Sequence, residues 1–312
     1  MKVVTIGGGN GQTISLRALR ALEPLPDITA VVTVFDSGGS SGRLRQELGI
    51  LPPGDLLRAI LALSSYDYPT LRKFFYTHRF TEPANLAGHS LGNLLIASLT
   101  QRTGDFFQAL RSFGASLAIQ GEVLPVSLAS TNLILELGDG SRISGEFNIG
   151  SYRYQRETVR QKLSLEKEAE ILPEAKAALD GADFIVLGPG DLYTSTLPNL
   201  LVKGMSDTLA GTRAKLTCVL NSANRVNGET FGFKASDYLA EFKKYLPRDF
   251  DYVIVQALPE QIAAKYAQVG WEAVFNDLGE VRARVIAANL ELKERVGTNW
   301  QKLSEILKMI IK

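Results

Sequence analysis

Residues 2–22 read KVVTIGGGNGQTISLRALRAL. The first five residues are mostly β-branched and suit a buried strand, the GGGNGQ that follows has almost no bulky side chain, and ISLRALRAL returns its apolar residues at helical spacing. A strand passing through a tight glycine turn into a helix is the opening of a βαβ unit, and it points to a parallel sheet covered by helices.

The same grammar recurs along the chain. Strand candidates are KVVTI (2–6), AVVTVF (30–35), ADFIVLG (182–188), KLTCVLN (215–221) and DYVIVQA (251–257). Helical patterns occupy 14–22, 55–75, 91–101 and 198–211, and WQKLSEILKMIIK closes the chain as a helix packed by Leu303, Ile306, Leu307 and Ile310. Residues 115–150 break the pattern. They alternate apolar and polar residues around a GDG turn, which predicts antiparallel strands inserted in the α/β core, and the charged stretch 154–179 reads as a solvated helix or lid.

Composition limits the functional classes. The 312 residues carry 34 basic and 33 acidic side chains, so no net field draws the chain to nucleic acid or to a membrane surface, and neither is an expected partner. No apolar run approaches the ~20 residues of a membrane span, and Met1 leads directly into a strand. The single cysteine, Cys218, sits in an apolar run and fits a reducing compartment, so a cytoplasmic protein is expected. No Cys/His spacing suggests zinc, and no nucleophile elbow occurs.

Four strand ends open into loops of small and polar residues: GGGNGQ (7–12), DSGGSSGRLR (36–45), GPGDLYTSTLP (188–198) and NSANRVNGET (221–230). In open α/β sheets ligands bind outside the carboxyl ends of the strands, where such loops converge. A dinucleotide fingerprint is spoiled by Gln12, which stands where its third glycine belongs, and no P-loop lysine follows. Asp36 is placed to accept from a hydroxyl or to hold a metal ion, Gly38–Gly42 to offer backbone N–H groups to an anion, and Arg43 and Arg45 to make bidentate phosphate contacts. PPGDLLR (52–58) adds Asp55 and Arg58 on the first turn of a helix, and GHSLGN (88–93) adds His89, while His78 has no supporting pattern. Asp36, Asp55 and His89 are the candidates for a general base, and whether the chain catalyses anything is left open.

In order, GGGNG, VTVFDSGGSSGRLR, PPGDLLR, GHSLGNLL, GEVLPVS, GPGDLYTSTLPNLL and GETFGF resemble the YvcK/CofD-like family, and its YvcK branch more than its 2-phospho-L-lactate transferase branch. The resemblance implies a Rossmann-like, mostly parallel sheet flanked by helices. It suggests one domain over 1–312, with core 1–112 and 178–312 and an inserted β/helical subregion 113–177. Its YvcK side implies a cytoplasmic UDP-sugar-binding regulator linked to cell shape and growth on gluconeogenic carbon. The CofD side implies a magnesium-dependent transferase with a nucleotide diphosphate donor. Carried over by position, the implied ligand pocket is Gly8, Gly9, Asn10, Asp36, Gly38, Gly39, Ser40, Arg43, His89, Asn93, Gly188, Gly190, Tyr193, Ser195, Asn199 and Asn221. Ser37 stands where the family commonly has a second Asp, which removes one carboxylate from a magnesium site. The expected partner is a nucleotide-sugar small molecule; a homo-oligomer is left open.

Overall fold

The structure is a computed structural model that describes residues 1–257, 260–292 and 295–311. Its strands are β1 (Lys2–Gly7), β2 (Asp27–Val32), β3 (Glu122–Pro125), β4 (Leu133–Leu137), β5 (Arg142–Ser144), β6 (Arg160–Leu165), β7 (Phe184–Leu187), β8 (Lys215–Val219), β9 (Ala223–Arg225), β10 (Tyr252–Gln256), β11 (Trp271–Ala273) and β12 (Arg284–Ala288). Seven of them form one parallel sheet in the order β12-β10-β8-β7-β1-β2-β3. The fold is therefore α/β and Rossmann-like, as the opening stretch implies.

The helices are α1 (Gly9–Arg20), α2 (Gly39–Leu48), α3 (Gly54–Leu63), α4 (Tyr68–Leu71), α5 (Leu91–Thr103), α6 (Phe106–Ser116), α7 (Glu146–Ser151), α8 (Pro173–Asp180), α9 (Leu197–Leu200), α10 (Met205–Gly211), α11 (Ala235–Lys243), α12 (Glu260–Gln268) and α13 (Trp300–Ile310). Two wide, π-type turns, Arg72–Thr77 and Leu192–Thr196, run into or out of short helices. Central strands read as continuous apolar runs because both faces are covered: Val3, Ile6, Val31, Ile185, Leu187, Val253 and Ile254 are fully buried. Leu303, Ile306, Leu307 and Ile310 do pack α13 onto this core. Asn299 caps that helix by accepting from Gln301 N at 2.9 Å.

Several boundaries differ from the sequence reading. β2 ends at Val32, so Thr33–Asp36 leave the sheet and lead the chain towards the strand ends. Residues 122–125, expected in the antiparallel insertion, form β3 and pair parallel with β2 at the sheet edge; only β5-β4-β6 make the expected antiparallel unit. The charged stretch 154–179 is no lid helix: it supplies strand β6, and its last part begins α8 at Pro173. The long helix read over 55–75 ends at Leu63, and the one over 198–211 breaks at Gly204, whose φ is +92°.

Candidate functional site

The carboxyl ends of β1, β7 and β8, with the chain leaving β2, enclose a cleft of about 520 Å³. That is within the size of small-molecule sites. Gly8–Gly11 form its floor, Pro189–Asp191 with Thr194 and Ser195 one wall, Asn221–Ala223 another, and Asp36, Asp55 and Glu146 a third. Gly9, at φ +65°, lets the chain turn from strand into α1. One turn edge later α1 touches the next loop: a Cβ on Gly11 would stand 2.2 Å from the Pro189 carbonyl oxygen.

Gln12 explains why the dinucleotide fingerprint fails. Its side chain is buried and Nε2 donates to Thr5 Oγ1 and to the Val31 carbonyl, both at 3.0 Å. It joins β1 to β2 where a glycine would let the helix pack closer.

The third wall is acidic. Gly9 N donates to Asp55 Oδ2 at 2.9 Å, and the other Asp55 oxygen pairs with Arg58, which also donates to Tyr76 Oη at 2.6 Å. Asp36 Oδ1 accepts from Gly38 N at 2.9 Å. Glu146, at the start of α7, faces Asp36 and Asp55, and Ser37 Oγ accepts from Phe147 N at 3.0 Å to hold α7 in place. Burial, then repulsion from Asp36 and Asp55, pushes the Glu146 carboxyl up to about 8, and burial followed by Asp55 raises Asp36. Asp191 is open to the cleft yet walled by protein on its other sides, and this burial raises its carboxyl too. Sequence reasoning missed Glu146, which lies 110 residues from Asp36 with no local motif around it.

Glu146 carries a pH prediction. Its folded pKa of about 8 lies above the ordinary 4.5, so between these values the folded chain holds a proton that the unfolded chain has released. Stability from this group is full below about pH 4.5 and is lost as pH rises towards 8. Between pH 5 and 8 the wild type should lose on the order of 2 kcal/mol more than Glu146→Gln, whose amide keeps the contact without the charge. Urea unfolding of both at three pH values checks this, and parallel stability curves would refute it.

The implied pocket residues divide into two groups. Gly8, Gly9, Asn10, Asp36, Gly190, Ser195 and Asn221 line the cleft; Asn221 holds Gly190 from both sides, accepting from its N–H and donating to its carbonyl, each at 3.0 Å. The others stand behind or away from it. Gly38 caps α2 and Gly39 begins it, so the presumed loop GGSSGRLR is helical, and Arg43 is half-buried within that helix rather than in the cleft. Its Nε and Nη2 have no hydrogen-bond partner among the described residues. Ser40 accepts from Asn93 Nδ2 at 3.0 Å and lies 2.9 Å from His89 Nδ1, and all three are buried. Of the base candidates, Asp36 and Asp55 therefore reach the cleft and His89 does not; burial, then Arg43, lowers the His89 imidazole's pKa.

Gly188, Tyr193 and Asn199 are braces. Ser15 donates to the Gly188 carbonyl at 2.6 Å, and Asn199 Nδ2 donates to the Ser195 carbonyl at 2.8 Å and to Gly7 O at 3.3 Å. Tyr193 is buried, and its backbone N–H donates to Glu229 Oε1 at 2.8 Å, beside a 3.0 Å bond from Thr194 Oγ1 to the other oxygen. Glu229, from the NGET loop, thus fixes the turn that presents Ser195. Arg45, the other cation of α2, donates instead to the Thr131 carbonyl at 2.8 Å.

Comparison with known proteins decides the family. The profile of the family described as 2-phospho-L-lactate transferase CofD matches residues 3–291. The chain belongs to the CofD/YvcK family. The gluconeogenesis factor of Halalkalibacterium halodurans is 40% identical over 284 residues, covering 90% of this chain and 86% of that protein. That of Bacillus subtilis is 39% identical over 285 residues, covering 90% and 87%. A crystal structure of a upf0052-family protein from Bacillus halodurans superposes with a TM-score of 0.87 at 37% identity and covers 98% of both chains. Like the sequence, the described residues contain no helix long and apolar enough to cross a membrane.

Proposed function

We propose that this CofD/YvcK-family protein binds a nucleotide sugar, specifically a UDP-sugar, in the cleft. It acts as a cytoplasmic regulator of the gluconeogenesis-factor type, tied to cell shape and to growth on gluconeogenic carbon. The observation that carries the reading is convergence: the loops after β1, β7 and β8 meet Asp36 and Glu146 across one cleft of about 520 Å³. Carboxylates on one wall suit the hydroxyls of a ribose or sugar, and the Ser195 hydroxyl on the facing wall suits a polar ester oxygen.

Magnesium, implied by the transferase branch, fits this site poorly. No group of three or more His, Cys, Asp or Glu side chains among the described residues is disposed to hold a metal ion. Asp55 is engaged by Arg58 and Gly9, and Asp36 by Gly38 N. The hydroxyl role of Asp36 is the one we favour.

A magnesium-dependent transferase acting on a nucleotide diphosphate donor is the second reading, and one observation favours it. The Asp36–Glu146 pair, with both carboxyls raised inside a cleft, has the electrostatics to hold and pass a proton near neutral pH.

The test is ligand-induced stabilisation. UDP-sugars should raise the melting temperature and NAD should not, since a ligand held only by the folded state stabilises it by mass action. Asp36→Asn should retain most of the UDP-sugar affinity and Asp36→Ala should lose it, with magnesium or chelator making little difference. A larger shift with NAD sinks the reading. Binding abolished by chelator, with Asp36→Asn as damaged as Asp36→Ala, moves the transferase ahead.

A further inference from the structure

The acid wall creates a difficulty for an anionic ligand. The amide that opens α1 already donates to Asp55, and Asp36, Asp191 and Glu146 crowd the same end of the cleft. A phosphate placed on the glycine loop would lie among these acids, adding negative charge where burial and mutual repulsion already raise the carboxyls of Asp36 and Glu146.

The cleft's other end has the opposite character. Arg17, Arg72 and Arg295 line it together with Tyr68. Arg17 is two turns along α1 from Gly9, about 12 Å at the rise of a regular helix. Its guanidinium carbon stands 4.4 Å from the Tyr68 ring centroid and 4.5 Å from that of Trp300. Stacking occupies the faces of the group and leaves its N–H edge for hydrogen bonding.

Among the described residues these arginines have no acidic side chain within ion-pair distance, whereas Arg58 is paired with Asp55. The nearby Asp67 is occupied as the cap of α4, accepting from Thr70 N at 3.0 Å. Burial, and behind it repulsion from Arg20, Arg295 and Arg72, pulls the Arg17 guanidinium below its ordinary pKa despite the favourable field of Tyr68. Three arginines gathered on one wall are a source of positive potential that an anion would relieve.

We propose that Arg17, Arg72 and Arg295 form a phosphate subsite, so that a bound phosphate ester lies with its anionic part on these arginines and its hydroxyl-bearing part on Asp36 and Glu146. This deepens the nucleotide-sugar reading and rests on it for the identity of the ligand. A diphosphate suits the subsite better than a carboxylate, because several guanidinium edges from different elements match its non-bridging oxygens, two on each phosphorus, where a carboxylate offers only two in all.

The experiment separates the two ends of the cleft by calorimetry with inorganic pyrophosphate, which has no hydroxyl-bearing end, and with UDP-glucose. Arg72 is partly exposed and Arg295 exposed, so the Arg72→Gln/Arg295→Gln double variant keeps its fold, which circular dichroism checks. It should bind both ligands at least about tenfold more weakly than wild type, with a shallower dependence on salt. Asp36→Ala should lose UDP-glucose while holding pyrophosphate at wild-type strength. Unchanged affinity of the double variant for both ligands overturns the subsite while leaving the nucleotide-sugar reading intact. Arginine-dependent pyrophosphate binding without UDP-glucose binding leaves the subsite and removes the nucleotide sugar. Failure of the wild type to bind either ligand overturns both.

Discussion

Gly11→Ala is expected to lower folding stability by about 3 kcal/mol and to abolish ligand uptake, the upper end of what overpacking a tight contact costs. The added Cβ would stand 2.2 Å from the Pro189 carbonyl oxygen and 2.5 Å from the Gly190 Cα. Both are backbone atoms, so no side-chain rotation makes room. Relief requires α1 and the 188–190 loop to move apart, and those two segments form the floor and one wall of the cleft. Gly211→Ala is the control: nothing lies within 4 Å of its Cβ position at the end of α10, and there a methyl group should be neutral or gain a few tenths of a kcal/mol. Urea unfolding and UDP-sugar titration of both variants measure the contrast. Gly11→Ala within about 0.5 kcal/mol of wild type would mean that the close approach does not constrain the chain.

The same contact shows what the sequence could convey. A loop with four glycines between a β-branched run and a helical pattern signals close backbone approach, and the structure supplies the neighbour. Central strands such as FIVL and YVIVQ were legible because burial on both faces demands continuous apolar residues. β12 was not, since its residues are half-exposed at the sheet edge and its run RVIAA is short. The helix α2 was hidden by composition. Gly, Ser, Ser and Gly favour a loop, and tertiary bonds override them: Gly54 N donates to Ser41 Oγ at 3.1 Å, and Ser40 joins Asn93 and His89. Taking that stretch as a loop led to the placement of Arg43 beside a ligand. The acid wall and the arginine end were illegible for a different reason. Asp36, Asp55 and Glu146 come from three elements, as do Arg17, Arg72 and Arg295, and only the fold brings each set together.

Asp55→Ala should destabilise the fold by about 4 kcal/mol, because removing one partner of a buried pair leaves the other charge uncompensated. Arg58 and Asp55 side chains are 16% and 8% exposed, and the carboxylate also accepts from Gly9 N at the start of α1. Truncation therefore leaves an unneutralised guanidinium and an unmatched backbone donor beneath the cleft. Tyr76, stacked 4.9 Å from the guanidinium and accepting its Nη1 hydrogen bond, cannot replace the lost charge. Asp55→Asn keeps an acceptor for Gly9 and should cost less. The decisive comparison is the double variant Asp55→Asn/Arg58→Gln. If the cost of Asp55→Asn comes from a stranded cation, removing that cation should recover part of it, giving a coupling of at least about 1 kcal/mol in the double-mutant cycle. Such recovery would also separate stability from function, since the double variant lacks one of the acids that crowd Asp36 and Glu146. Strictly additive losses in urea unfolding would show that Asp55 supports the fold through Gly9 alone and that Arg58 does not depend on it.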